Sequence, residues 1–200
     1  KSYDQPLETF STNIMGTINL LEAIRTSSKK CVIINVTSDK CYENQELARG
    51  YKETDMMGGL DPYSSSKGCA ELITSSFRNS FFSNSDTKEF DISLASVRAG
   101  NVIGGGDWAE NRIVPDIIRG IIDKKIIKIR NPNAIRPWQH VLEPLRGYLE
   151  LVEKIWNNKS EYAESWNFGP DHEDLKSVSW ITDKIIDVWG SDVKVDNNNT

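Results

Sequence analysis

Tyr63 and Lys67 stand four residues apart. On a helix that spacing puts both side chains on one face. A tyrosine acts as a base only after losing its phenolic proton, which an ordinary phenol holds up to a pH of about 10. Working near neutrality takes a depression of roughly three units, or about 4 kcal/mol. An ammonium held beside the ring in a partly desolvated cleft supplies much of that energy. The pair is therefore a candidate proton-abstracting base with its own activator. The same spacing also occurs on ordinary solvated helix faces, so spacing alone leaves both readings open.

A second polar cluster, Thr37-Ser38-Asp39-Lys40, follows directly on the apolar run Cys31-Val-Ile-Ile-Asn-Val36. Ligands of open α/β sheets bind at the carboxyl ends of strands. A hydroxyl, a carboxylate and an amine delivered there form an acid–base set, although Ser and Asp also suit a plain polar turn. Two further clusters hold candidate substrate contacts: Arg98-Ala-Gly-Asn101-Val-Ile-Gly104 and Arg136-Pro-Trp-Gln-His140-Val141. An arginine can grip a diphosphate with two parallel hydrogen bonds, and a tryptophan offers a face for a base. Either residue alone is as easily structural. Arg112 reads equally well as a ligand contact or a solvated helix start.

These groups need elements to position them. Ile14, Ile18, Leu21 and Ile24 recur at spacings of three and four, which predicts a helix over 13–25, ended by Lys29 and Lys30. The run 31–36 suits a central parallel strand covered on both faces. Residues 43–61 read as a long loop. Asp61-Pro62 is a good helix start, since Asp caps free amides and proline at the first position lacks a donor; this helix is expected to reach about Phe82. Strands are expected at 91–97, 126–129 and 165–168, and helices at 113–122, 141–156 and 177–189. The tail 197–200 reads as frayed. Strands alternating with helices predict an α/β fold with a parallel sheet.

Composition narrows the function classes. The 200 residues are 38% hydrophobic and 26% charged, the balance of a globular chain. A net charge of −5 without a basic stripe disfavours nucleic-acid binding. No apolar run approaches the roughly 20 residues that span a bilayer, and 1–10 show no signal-peptide pattern. Three cysteines without a C-x-x-C pair, and only two histidines, make neither a zinc nor a disulfide framework, so no metal is expected. A reducing cytoplasmic compartment fits best. One motif is absent from the 200 residues: the strand, glycine-rich turn and helix that open a dinucleotide-binding fold. Gly104-Gly-Gly106 lacks that context.

Taken together, the clusters resemble the extended short-chain dehydrogenase/reductase family of nucleotide-sugar enzymes. Asn13-Ile-Met-Gly-Thr-Ile-Asn-Leu-Leu-Glu-Ala23 resembles the helix before its catalytic strand. Thr37–Tyr42 resembles its S-T-D-E-V-Y segment, Pro62–Lys67 its catalytic helix, Arg98–Gly104 its R-x-x-N-x-x-G stretch and Trp166–Gly169 its Y-N-I-G strand. The likeness runs from about residue 3 to 189. Within the family, Ser38-Asp39-Lys40, Gly104-Gly-Gly-Asp-Trp108 and Asn131–His140 are most similar to the dehydratases that act on CDP-glucose.

The resemblance implies a Rossmann-like parallel sheet with helices on both faces, incomplete at its N-terminus. Residues 1–103 would be the later part of the NAD-binding domain, with the catalytic residues. Residues 104–200 would be a mixed region that contributes the nucleotide-sugar-binding part and a returning strand at about 165–168. Roughly 80 to 100 residues would be missing before Lys1, judged by typical element lengths, and this piece alone would turn over no substrate. Implied roles follow. Tyr63 removes the sugar 4-hydroxyl proton, with NAD as hydride carrier. Lys67 supports Tyr63 and holds the nicotinamide ribose, Thr37 lies against the cofactor, and Ser38 positions the 4-oxygen. Asp39 protonates the departing C6 hydroxyl. Lys40 takes the C5 proton if it is neutral, or else orients Asp39. Asn101, Arg112, Arg136 and His140 are the implied substrate contacts, and Asn13 holds backbone or water. A homodimer or higher oligomer would form through helices 9–26 and 62–82, and the product would feed bacterial surface deoxysugars. Two alternatives stay open: a UDP-sugar 4-epimerase or decarboxylase of the same family, and a non-catalytic binding or dimerisation module.

Overall fold

A computed structural model describes residues 2–27, 30–47, 49–82, 91–190 and 192–196. In chain order, α1 (Pro6–Phe10) continues through a π-helical stretch (Ser11–Met15) into α2 (Gly16–Ser27), followed by β1 (Lys30–Val36) and a 3-10 turn (Asp39–Cys41). Next come α3 (Pro62–Phe77) with a π-helical tail (Arg78–Phe82), β2 (Asp91–Ala99), β3 (Val102–Ile103), α4 (Ile113–Asp123), β4 (Ile127–Lys128), β5 (Ile135–Arg136) and β6 (Gln139–His140). The chain ends with α5 (Leu142–Asn157), α6 (Lys159–Tyr162), β7 (Ser165–Phe168), β8 (Lys176–Ser177), α7 (Val178–Trp189) and β9 (Val195–Asp196). It divides into two compact units, Lys1–Ala99 with Pro144–Phe168, and Gly100–Glu143 with Gly169–Thr200.

The first unit is built on a parallel sheet in the order β1-β2-β7, so among the described residues β2 and not β1, which the sequence suggested, is the central strand, and β1 is only half-buried. β2 is buried along its length because it is the middle strand. Alternation sends its side chains to opposite faces. Ala95 and Val97 pack with Leu151 and Ile155 of α5, whereas Ser96 and Arg98 bond Glu71 of α3 on the other side. Helices thus cover both faces. α5 lies close because Gly147 has no side chain: a Cβ there would sit 2.2 Å from Phe168 Cε1. Gly147→Ala must therefore displace that ring, and such overpacking costs about 1–3 kcal/mol. A urea midpoint lowered by that amount at unchanged slope is the expected result; an unchanged midpoint would show that the ring yields freely.

The second unit has its own apolar core. Ile117 and Ile121 of α4 pack with Ile127 and Ile129, and Ile185, Ile186 and Val195 close around them. Three two-stranded pairs frame it: β3 with β6, β4 with β9, and β5 with β8.

Most expected elements are present, with shifted ends. The first helix begins at Pro6, where proline suits a first helical position, and a π stretch carrying Asn13 interrupts it. The helix from Pro62 keeps α-helical bonding only to Phe77 and becomes π-helical over 78–82. Lys29 and 197–200 lie outside the described residues. Among the described residues no helix is long and apolar enough to cross a membrane.

Candidate active site

In the first unit, β1 ends at Val36 and its carboxyl end leads straight into the polar turn. Ser38 caps that turn, its Oγ accepting from the Lys40 amide at 3.2 Å. The same hydroxyl donates to Asp39 Oδ1 at 3.1 Å. Lys40 Nζ stands 3.6 Å from Asp39 Oδ2, and both side chains keep solvent access. The three residues form one linked group, and their turn packs directly against α3.

α3 starts where the sequence predicts. Asp61 accepts from the Tyr63 and Ser64 amides at 2.9 and 3.1 Å, a cap worth about 1 kcal/mol. Burial works to raise the Asp61 carboxyl. Its bonds to Ser64 and Tyr63 and the nearby Lys40 charge outweigh that and hold it below the ordinary carboxylate range. Gly59 lets the preceding loop press onto this helix start, since a Cβ there would meet Ser65 N at 2.4 Å.

Tyr63 remains 40% exposed, open to a ligand. Lys67 Nζ lies 5.8 Å from the Tyr63 ring centroid, as the four-residue spacing requires. Lys67 is half-buried, and that desolvation lowers its hold on its proton. A partly dry ammonium is poorly screened, so its field at the neighbouring phenol is stronger. Asn13 braces the arrangement. Its amide donates to Ser66 Oγ at 2.9 Å, and Ser66 Oγ donates to the Tyr63 carbonyl at 2.7 Å. The π stretch that holds Asn13 is a feature common at functional positions.

Beneath the turn lies a network that the sequence reading missed. Glu71, one helical turn beyond Lys67, is 1% exposed. Its carboxylate accepts from Thr37, from Ser96 at 2.7 Å and from Arg98 at 2.7 Å. Arg98 also donates to the Tyr42 hydroxyl at 2.6 Å, and Tyr42 donates to Asn167 Oδ1 at 2.7 Å. Arg98 therefore sits inside the protein rather than facing a diphosphate. Thr37 likewise spends its hydroxyl inward, on Glu71 and on the Val97 carbonyl. Cys41 is fully buried, which pushes its thiol up to about 12.

In the second unit a cleft of about 640 Å³ is lined by Trp138, Gln139, His140, Asp171, Lys176 and Trp180 among others. Of the four expected substrate contacts, only His140 lines it. Arg136 lies on β5 with a guanidinium nitrogen on its neighbour's carbonyl. Asn101 receives the Gln139 amide on its backbone oxygen at 3.0 Å. Arg112 pairs with Asp107 at 3.0 Å just before α4, in the open. Among the described residues no group of three or more His, Cys, Asp or Glu could hold a metal ion.

A parallel sheet covered on both faces, with a polar turn at a strand's carboxyl end, is the α/β architecture of Rossmann type. The chain belongs to the GDP-mannose 4,6 dehydratase family, whose sequence model matches residues 1–165. It is 53% identical over 191 residues to the CDP-glucose 4,6-dehydratase of Salmonella typhimurium, across 96% of this chain and 53% of that protein. The chain thus spans about half the length of that relative. In three dimensions it is similar to a UDP-N-acetylglucosamine 4-epimerase of Methanobrevibacter ruminantium M1 in complex with UDP-N-acetylmuramic acid, with TM-score 0.77, 22% identity and coverage of 98% of this chain and 59% of that one. It is also similar to a dTDP-glucose 4,6-dehydratase of Streptomyces venezuelae with NAD bound, with TM-score 0.76, 19% identity and coverage of 98% and 56%. These likenesses establish the Rossmann-like fold expected from the sequence.

Proposed function

We propose that the protein carrying this chain is an NAD-dependent nucleotide-sugar 4,6-dehydratase that converts CDP-glucose to CDP-4-keto-6-deoxyglucose and water. One observation carries the reading: the Tyr63–Lys67 pair and the Asp39–Lys40 pair belong to adjoining elements of one unit, the turn being packed on α3. The first pair serves oxidation of an alcohol. The second serves elimination, which a 4-epimerase does not need. The 53% identity to a CDP-glucose 4,6-dehydratase supports the substrate.

The residues present fit the nicotinamide end of NAD, because Tyr63 is accessible and Lys67 is a partly desolvated cation beside it. Bound NAD would supply the redox chemistry, removing hydrogen from C4 and restoring it at C6 with no net oxidation. Tyr63 takes the proton of the 4-hydroxyl, and the Lys67 charge stabilises the phenolate. Ser38 holds the 4-oxygen in place. The 4-ketone acidifies the C5 hydrogen, so that a base can take that proton while the C6 hydroxyl departs as water. Asp39 delivers the proton to the departing hydroxyl. Lys40, when neutral, takes the C5 proton, and its place 3.6 Å from Asp39 Oδ2 would let that proton pass back to the carboxyl; as an ammonium it would only orient Asp39. If Lys40→Ala exchanges the C5 proton with solvent at the wild-type rate, Lys40 is not the base.

The second unit would bind the nucleotide. Trp138 and Trp180 offer faces for a base at the cleft and His140 a polar contact, while Arg136, outside the cleft lining, would reach the diphosphate only after turning from the Ile135 carbonyl. Asn101 and Arg112 remain contacts of the sugar or phosphates in this reading. Thr37 would touch the cofactor only through its backbone, since its hydroxyl is engaged. A homodimer through helices 9–26 and 62–82 is supported by the exposed Met15, Leu20, Leu72 and Phe81. Three free thiols support a reducing cytoplasmic setting. Incubating the whole protein and NAD with CDP-, UDP- and dTDP-glucose tests the assignment. CDP-glucose losing one water fastest is the expected result; an isomer of unchanged mass would instead make the protein an epimerase.

A further inference from the structure

The turn that carries Ser38, Asp39 and Lys40 is short, with Ser38 and Asp39 half-buried and Lys40 exposed. Acid–base chemistry needs it fixed, because a misplacement of about 1 Å can cost roughly a hundredfold in rate. Its two ends are held from below by one ion pair. Thr37, at the entry, donates its hydroxyl to Glu71. Tyr42, at the exit, receives Arg98 at 2.6 Å. Glu71 and Arg98 meet each other at 2.7 Å, each side chain 1% exposed. Glu71 shares α3 with Tyr63 and Lys67 at successive intervals of four residues.

We propose that Glu71 and Arg98 are positioning residues: a buried ion pair that locks the Thr37–Tyr42 segment to α3, and so sets Ser38, Asp39 and Lys40 in register with Tyr63 and Lys67. The catalytic consequence rests on the dehydratase reading, while the locking of the segment does not. Stability alone is a poor reason for such a pair, because apolar residues of similar volume often replace buried ion pairs at no loss. The bonding goes beyond simple charge pairing. Both Glu71 oxygens are used, Ser96 adds a third donor, and the Arg98 guanidinium stacks at 5.1 Å from the Tyr42 ring centroid. Tyr42 in turn stacks on Tyr51 at 5.1 Å, and Tyr51 accepts the Asn167 amide on its carbonyl at 2.9 Å. The pair thus specifies where two chain segments stand, which an apolar contact does not. One group resists this account: Arg98 Nε is buried without a hydrogen-bond partner among the described residues.

The test uses the whole protein with Glu71→Leu and Arg98→Met combined, so that neither charge is left alone in the interior. Three quantities are read: melting temperature, amide hydrogen exchange of the 37–42 segment, and kcat and KM with CDP-glucose and NAD. A melting temperature close to wild type, exchange at least about tenfold faster over 38–42 by local opening, and kcat roughly a hundredfold lower at a KM within about twofold are expected. Glu71→Asp and Arg98→Lys, which keep the charges, should recover part of kcat. Unchanged exchange in the double variant overturns the proposal, as does full kcat at restored stability. Faster exchange in a protein whose wild type never dehydrates CDP-glucose would uphold the lock and sink the dehydratase reading.

Discussion

Tyr63→Phe in the whole protein is expected to lower kcat for dehydration by roughly a thousandfold, the middle of the range for a lost general base, with the fold intact. The ring stays, the residue is 40% exposed, and its hydroxyl has no hydrogen-bond partner among the described residues. Little stability depends on it. Lys67→Met should cut kcat by a similar factor for a different reason, since it removes the charge that favours the phenolate. Its effect on stability has the opposite sign from its effect on rate. Burial lowers the Lys67 proton affinity below the ordinary value of 10.5, so the folded state bears a desolvation cost while lysine is charged. That cost is present at neutral pH and fades as the pH rises through the lowered value toward 10.5. Lys67→Met should therefore unfold at an equal or higher temperature at pH 7, with the gain gone in strong alkali. A stabilised but inactive variant is the mark of a functional charge kept at the expense of stability. An active Tyr63→Phe protein would remove the residue from the mechanism.

The second large effect is on folding. Arg98→Met leaves the Glu71 carboxylate buried and unpaired, which costs about 3–5 kcal/mol at pH 7. Wild-type Glu71 is held as the carboxylate: burial alone would raise its proton affinity, but Arg98, Thr37 and Ser96 bring it below the ordinary 4.5. A lowered carboxylate contributes stability in full above its unfolded value and loses it as the pH falls through the folded one. In Arg98→Met, burial acts with no cation against it, so Glu71 takes up a proton at a higher pH and the penalty is relieved there. The gap between wild type and variant should thus be wide at pH 7 and narrow below about 4.5. Urea unfolding at both pH values measures it. A gap of equal size at both would mean that lost packing, not the stranded charge, sets the cost.

The sequence made some of this legible and hid the rest for physical reasons. The start of α3 was readable to the residue, because Asp61-Pro62 is local chemistry that needs no tertiary partner. β1 and β7 were readable from short apolar or β-rich runs, and the linked Ser38-Asp39-Lys40 turn from its place after a strand. The π stretches were not, because bonding to the fifth residue reflects tertiary tension and leaves the apolar spacing intact. The two-residue strands of the second unit were equally hidden, since each depends on a partner distant in sequence, as β5 does on β8. Arg98 is the instructive case. A lone arginine in the apolar strand Asp91–Ala99 needs a buried counter-charge. The signal lay in Glu71, which continues the four-residue rhythm of Tyr63 and Lys67. Arg136 and His140 stand close in sequence, yet only His140 lines the cleft, because they belong to different strands, β5 paired with β8 and β6 paired with β3, a division that spacing does not show.

In the proposed mechanism one site oxidises C4, eliminates water across C5 and C6, and reduces C6. CDP-glucose carrying deuterium at C4, given to the whole protein with NAD, tests all three steps at once. The mechanism predicts a product that has lost one water and carries the label at C6. Label retained at C4, or a product of unchanged mass with inverted configuration, would contradict it.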